Sequence, residues 1–529
     1  MKKFITSLIA VLVAANLQAQ QHQTPKLVVF ITIDQLRGDF LEYFKGFFGE
    51  NGFKRLMNNG IAYNHVQFEF SSIDQASAMA TITTGSNPCY HSITGQKRYD
   101  FETDREQSCI YDAYYIGNNT HLNLSPKNLL TSTIGDELKY ASKGASKVYA
   151  IAPETESAVL SAGHAADGAF WIDDYSGKWA TTTYYKTPSL SFVDKLNSGS
   201  ESLSSRLPSF SWSPMLNADQ YEVLPYIADR RPYRHTFNER DFGCYPRFKT
   251  SAFVNKEVAN LAIQFIENGD LGVRPTPDLL FVTFYGGNFQ DVLDHTYTQE
   301  IQDIYFQLDQ NIAELLSAID KKVGLNRTLV VVTGTGYYTD TGNVPEGLNS
   351  AGGIFNLSLC KSLLNSFLRL TFGGQKDWYQ GYYNQQFYLN HKTVTDENLD
   401  LVAIQNKAAE FVAGFEGVQQ VVTDHALRTG DWNEGSAALR YGTYHKGRGD
   451  LIIELIPGWG VEDNITGQKV NVKRNSAVIT PLLFYGNGLK PARIERSVYA
   501  TEIAPTITSI LRIRAPNACS DLPLPEVIR

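Results

Sequence analysis

Four stretches of this chain are apolar almost without interruption: LVVFITID ending at Asp34, DLLFVTF starting at Asp278, TLVVVTG starting at Thr328 and PLLFY starting at Pro481. Strict alternation of polar and apolar residues would mark a strand with one wet face. Continuous apolar runs mark strands covered on both faces, and such strands occur almost only where helices pack on each side of a parallel sheet. The connecting segments agree. Residues 251–268 place Val254, Val258, Leu261, Ala262 and Phe265 at helical spacing, and Gln299 to Lys321 reads as a long helix leading into TLVVVTG. Lys147–Ala152 reads as a further short strand. Helical pattern covers Gly38–Asn59, Thr131–Ser142 and Tyr499–Leu511. Strand followed by helix, repeated, predicts an α/β fold with a doubly wound, mostly parallel sheet.

Residues 340–475 break this rhythm. They hold a helix near Cys360–Leu370, the aromatic stretch DWYQGYYNQQFYLN, a helix at Val402–Gly414 and short strands at Val418–Val422 and Asp450–Leu455. This region reads as an inserted α+β cap, with the core formed by 20–339 and 476–529. Residues 200–245, rich in Pro, Arg and aromatics, read as a surface excursion. A length of 529 residues exceeds one ordinary domain. The net charge is −8 and there is no basic stripe, which argues against nucleic acid as a partner.

The first 19 residues read as a secretory signal peptide. Lys2 and Lys3 give the positive start, Phe4 to Ala15 the short apolar run, and Leu17-Gln18-Ala19 the cleavage site. The run is too short to span a bilayer, and no later segment approaches that length. The expected location is therefore outside the cytoplasm: the periplasm, or the outer membrane and cell surface. The five cysteines, Cys89, Cys109, Cys244, Cys360 and Cys519, sit in no metal-binding spacing; a Cys89–Cys109 disulfide and five free thiols both remain open.

Ordered landmarks run through the chain: LVVFITIDQLRGDF, GFKRLMNNG, TTGSNPCYHSITG, SAGHAADGAFWID, YYNQQFYLN, KGRGDLIIELIPGW, PLLFYGNGLKP and TEIAPTITSIL. Together they resemble bacterial alkaline phosphatases of the phosphate-irrepressible type, in the alkaline phosphatase superfamily. The resemblance covers nearly all of the chain beyond the signal peptide. It implies two zinc ions held by six Asp and His side chains, with a Thr or Ser hydroxyl attacking phosphorus in line.

Taken position by position, this sequence departs from that pattern. The first ligand matches at Asp34, closing the first strand. The nucleophile position falls on Gln75, and an amide cannot attack phosphorus. Ser72 and Ser77 are nearby hydroxyls, but Ser72 or Asp74 is expected to cap the following helix. The Asp-x-x-x-His pair falls on Asn288 and Val292, and the Asp-His after TLVVVT falls on Thr335 and Gly336. No His precedes PLLFYG in GQKVNVKRNSAVIT. The Asn that would bind phosphate oxygens falls on Gln96, and the Lys-x-Arg clamp on Glu154 and Glu156. Each charge 4 Å from a phosphate is worth about 4 kcal/mol at an effective dielectric near 20, and reversing its sign doubles the change. His91 and His164 fall in structural landmarks and are expected to pack or hydrogen-bond.

These departures point to a degenerate member with no catalytic residue and no cofactor, acting as a binding or scaffold protein of the cell envelope toward a protein or glycan partner. DWYQGYYNQQFY is its candidate contact surface. The alternative is an active metal-dependent phosphatase or phosphodiesterase, with zinc held by relocated ligands drawn from Asp34, Asp291, Asp294 and His295. A third option is a Ca²⁺ site built from Asp34, Glu154 and Glu156.

Overall fold

The computed structural model describes residues 24–100, 105–186, 190–224, 233–289, 298–340, 353–430, 433–456, 459–462 and 474–528. The expected signal peptide lies outside them, as do Asp291, Val292, Asp294 and His295. Among the described residues no helix is long and apolar enough to cross a membrane.

An 11-stranded mixed sheet organises the core. Its central strands are β1 (Leu27–Asp34), β2 (Ile61–Gln67), β3 (Val148–Ile151), β4 (Gly168–Ile172), β5 (Asp278–Tyr285), β6 (Thr328–Gly334) and β7 (Thr480–Gly486), in the order β2-β7-β6-β1-β5-β3-β4. β1 lies between β5 and β6, parallel to both, and pairs from Leu27↔Asp278 to Asp34↔Tyr285 and from Leu27↔Thr328 to Ile33↔Gly334. The carboxyl ends of these three strands therefore finish level with one another. In a sheet of this type that edge is where ligands bind.

Every residue of β1, β5 and β6 is buried. Val29, Ile31 and Ile33 pack on one side with α3 (Ala252–Asn268) and α4 (Thr298–Lys322). Val28 and Phe30 pack on the other with α1 (Gln75–Thr84), α2 (Thr155–Ala162) and α5 (Ile503–Leu511). Each fully buried Val, Ile or Phe contributes about 1.5–3 kcal/mol, so the continuous apolar runs stabilise both layers at once.

The structure differs from the sequence expectation in several places. The described part of 200–245 is not a surface excursion, since Leu207, Trp212, Tyr221 and Phe237 are buried in the main core. The apolar pattern does not predict the strands β2 and β4, and β7 runs antiparallel to β6 and β2, which makes the sheet mixed. The helix expected over Gly38–Asn59 is interrupted after Tyr43 and resumes at Phe53. Asp309 of α4 accepts from the backbone N–H groups of Gly49 (2.8 Å) and Phe53 (2.7 Å), which fixes the break. A Cβ on Gly52 would stand 2.2 Å from that carboxylate.

Within 340–475, an antiparallel sheet of Tyr379–Tyr383, Gln386–Leu389, Leu451–Leu455 and Val418–Thr423 carries its own hydrophobic core, which includes Leu364, Trp378, Phe387, Ile404 and Ile453. The aromatic stretch proposed as a contact surface is part of this sheet and core: Trp378 and Phe387 are wholly buried and Tyr388 nearly so. Its rings supply the apolar area that a small separate sheet needs to hold together.

Candidate functional site

Asp34 ends β1 with its side chain buried. Three hydrogen-bond donors converge on it. Gln75 Nε2 donates to Oδ2 at 3.0 Å, Thr335 Oγ1 to Oδ1 at 3.0 Å, and the Tyr337 hydroxyl to Oδ2 at 3.3 Å. Thr335 Oγ1 also accepts from the Gln35 backbone N–H at 2.8 Å, so its single proton is directed at Asp34. Burial pushes the Asp34 carboxyl up to about 6; the hydrogen bonds from Thr335, Tyr337 and Gln75 oppose this, and Glu154 adds to it.

Each donor is placed by local structure. Gln75 opens α1, and Asp74 is its N-cap in a reciprocal capping box with Ser77. This settles the choice between Ser72 and Asp74. It also ties up Ser77, whose hydroxyl bonds Asp74 at 2.8 Å. Thr335 follows β6 directly, and Tyr337 starts the short strand Tyr337–Asp340. Between them Gly336 takes φ +71°, and a Cβ there would stand 2.2 Å from the Phe68 ring. A side chain at 336 is thus excluded by backbone conformation and by packing.

The remaining predicted positions fall around this centre. Gln96 donates from its amide to Gln75 Oε1 at 3.4 Å and from its backbone N–H to Asp74 at 2.7 Å. Asn288 is buried; its amide donates to the Thr339 carbonyl at 3.0 Å and its carbonyl oxygen accepts from the Tyr338 hydroxyl. Asn288 thereby bonds the strand Tyr337–Asp340, some 50 positions away, rather than Asp34. Val292 lies outside the described residues, as do Asp291, Asp294 and His295 of the relocated-ligand alternative.

Glu154 and Glu156 do not form the pair of bare anions that the sequence predicts. Glu154 accepts from Lys249 Nζ at 2.7 Å, and Lys249 also meets Asp174 at 2.5 Å. Burial alone would lower the Lys249 ammonium, yet Glu154 and Asp174 hold it above its ordinary value. Glu156 accepts from Thr155 Oγ1 at 2.6 Å and from Ser108 Oγ at 3.4 Å, and burial raises its carboxyl. One acidic side chain is paired with a cation and the other is partly buried and hydrogen-bonded, so the repulsion toward an anion is smaller than two free charges would give. Lys249 could not be assigned from the sequence, because nothing local links it to a residue 95 positions away.

Among the described residues, the donor set around Asp34 does not fit zinc. Zinc sites use several Cys, His, Asp or Glu ligands around one ion. Here one carboxylate is ringed by an amide and two hydroxyls that already donate to it. Among the described residues no group of three or more His, Cys, Asp or Glu could hold a metal. Of the residues considered for Ca²⁺, Asp34, Glu154 and Glu156, Glu154 pairs with Lys249 at 2.7 Å.

The two landmark histidines are structural. The Ile93 N–H donates to His91 Nδ1 at 3.1 Å, which leaves the Nε2 proton for Thr81 Oγ1 at 3.1 Å; burial lowers His91 to about 3. His164 bonds Asp136 at 3.0 Å and the Leu129 carbonyl at 2.8 Å. All five cysteines are free thiols.

Comparison with known proteins adds lineage to this geometry. Residues 28–477 match the family described as Type I phosphodiesterase / nucleotide pyrophosphatase. The chain is 28% identical to alkaline phosphatase PafA of Elizabethkingia meningoseptica, covering 98% of both chains. It is 27% identical to alkaline phosphatase PhoV of Synechococcus elongatus, covering 97% of both. The crystal structure of wild-type PafA superposes with a TM-score of 0.83 at 26% identity, over 96% of this chain and 99% of that one.

Proposed function

The chain belongs to the Type I phosphodiesterase / nucleotide pyrophosphatase family, and from that premise we propose that it is a member that binds rather than hydrolyses. It would serve as an exported binding or scaffold protein of the cell envelope, with a protein or glycan as partner. One observation carries this reading: three neutral donors, from Gln75, Thr335 and Tyr337, satisfy Asp34 where the resemblance implies metal ions and a nucleophile. Fold alone does not carry activity; the site does. An amide at 75 cannot form a phosphoryl ester, and Gly336 offers no ligand atom.

A second reading is favoured more directly by the comparisons, since both relatives are named alkaline phosphatases. In it the chain is an active metal-dependent phosphatase or phosphodiesterase, its zinc ligands relocated to Asp34, Asp291, Asp294 and His295. Metal analysis of the purified chain, together with assays on an aryl phosphate and an aryl phosphodiester, separates the two. Zinc far below one ion per chain with no turnover after zinc addition supports the binding protein. Near-stoichiometric zinc with turnover supports the hydrolase and removes the first reading.

A further inference from the structure

Beside the Asp34 site, between the core and the cap, lies a cavity of about 570 Å³. That is within the range of small-molecule sites. Its electrostatics are opposite to those of its neighbour. Lys97 and Arg98 reach it from the strand Lys97–Asp100 of the core, and Lys446 and Arg448 from the cap segment that leads into Leu451–Leu455. In a chain of net charge −8, four cationic side chains on one cavity form a local excess. Asp100 also lines it, and Glu106 pairs with Lys97 at 3.3 Å, which offsets part of that charge.

Arg448 marks this as a built site rather than a solvated face. Its side chain is only 5% exposed, and its Nε has no hydrogen-bond partner. Its Nη1 reaches Asp424 at 3.2 Å, but Asp424 is shared with Arg428 at 2.7 Å. One carboxylate thus serves two guanidiniums. Burial, and then the nearby Arg428 and Arg440, press Arg448 below the ordinary arginine range although Asp424 opposes them. A buried guanidinium with an unused donor is costly to leave unmet.

The cavity also has ring-bearing walls. Tyr99 of the core stacks on Tyr388 of the cap, with centroids 5.3 Å apart and planes 25° apart, and Tyr383 stands 6.2 Å from Tyr99. Asn384 ties the two halves together by donating to the Thr94 carbonyl at 2.6 Å. Tyr99, Tyr383 and Tyr388 thus line the cavity together with the amides of Asn128, Asn384 and Gln386, a wall of apolar area and hydrogen-bonding groups that suits the ring and hydroxyls of a sugar.

We propose that this cavity binds an anionic sugar, a single ring carrying a phosphate, sulfate or carboxylate group. The charged group is held between Arg98 and Arg448, and the ring lies against the tyrosines. Glu156 and Asp74 lie just beyond the wall formed by Gly95 and Cys109; Glu156 is reached by Ser108, the residue before Cys109, and a Cβ on Gly95 would stand 3.1 Å from the Asp74 carboxylate. Negative charge there orients the anion toward the cap. This inference rests on the binding-protein reading for what the site is used for, and names the ligand class of that reading.

The test is calorimetric titration of the chain from Gln20 onward with glucose 6-phosphate, glucuronate, glucose and inorganic phosphate. At least one anionic sugar is expected to saturate at least about tenfold more tightly than glucose and inorganic phosphate, and to weaken as salt rises. The double variant R98E/K446E changes two exposed side chains; it should keep the parent melting temperature and lose at least about tenfold in affinity. Tyr383→Ala should weaken the sugar while leaving the weak inorganic phosphate signal unchanged. No saturable binding by either anionic sugar, inorganic phosphate binding as tightly as glucose 6-phosphate, or an unchanged affinity in the double variant would each overturn the proposal. Phosphate release is followed in the same cell. Binding with release keeps the site but ends the non-catalytic reading; neither binding nor release ends the site alone.

Discussion

Replacing Asp34 by Asn probes the centre of the site. In the folded chain burial raises the Asp34 carboxyl to about 6 from a model-peptide value of 3.8. The folded state therefore holds this proton more tightly than the unfolded state. By linkage the group's contribution to stability is most favourable below the unfolded value and is lost as pH rises through the folded value. Between about pH 4.5 and about pH 8 the shift of roughly two units amounts to about 2 kcal/mol of declining stability from this one residue. Asn cannot titrate, so this slope vanishes in the variant. Asn also turns an NH₂ toward donors that need an acceptor, which costs about 1–3 kcal/mol at every pH. The parent should thus be more stable than Asp34→Asn at low pH, and the gap should narrow by about 2 kcal/mol toward neutral pH. Urea unfolding of both proteins across this range measures the gap directly, because other titrating groups cancel in the difference. A pH-independent gap would refute the assignment of a buried, metal-free carboxylate. So would a parent protein whose advantage grows with pH in the presence of zinc.

Other outcomes follow from the same geometry. Gln75→Thr restores a hydroxyl at the nucleophile position, yet with zinc added it should release no nitrophenolate from an aryl phosphate, since Thr335 and Gly336 still supply no Asp-His pair. Lys249→Met leaves Glu154 and Asp174 unpaired; because both acids are partly exposed, the loss is limited to about 1–3 kcal/mol, read from urea midpoints. Gly336→Ala must place a methyl group against Phe68 at positive φ, and should cost about 2 kcal/mol or more in the same assay.

The sequence by itself determined the buried central strands and the absence of side-chain ligand atoms at particular positions. Continuous apolar runs at Leu27–Asp34, Asp278–Tyr285 and Thr328–Gly334 leave a chain little choice but to bury both faces, and that pattern is local. Gly336 and Asn288 are equally local facts. β2, IAYNHVQ, escaped because its polar residues dilute the signal, and its antiparallel partner lies more than 400 positions away. Only the tertiary structure decided what replaces the missing groups. Asp34 meets Gln75 across 41 positions and Thr335 across 301, and Glu154 meets Lys249 across 95. These meetings depend on sheet register and helix packing, and the cationic cavity beside them depends on how the segment Lys446–Arg448 comes to face the strand Lys97–Asp100. No short-range pattern of side chains encodes such distances; they exist only once the layers have been assembled.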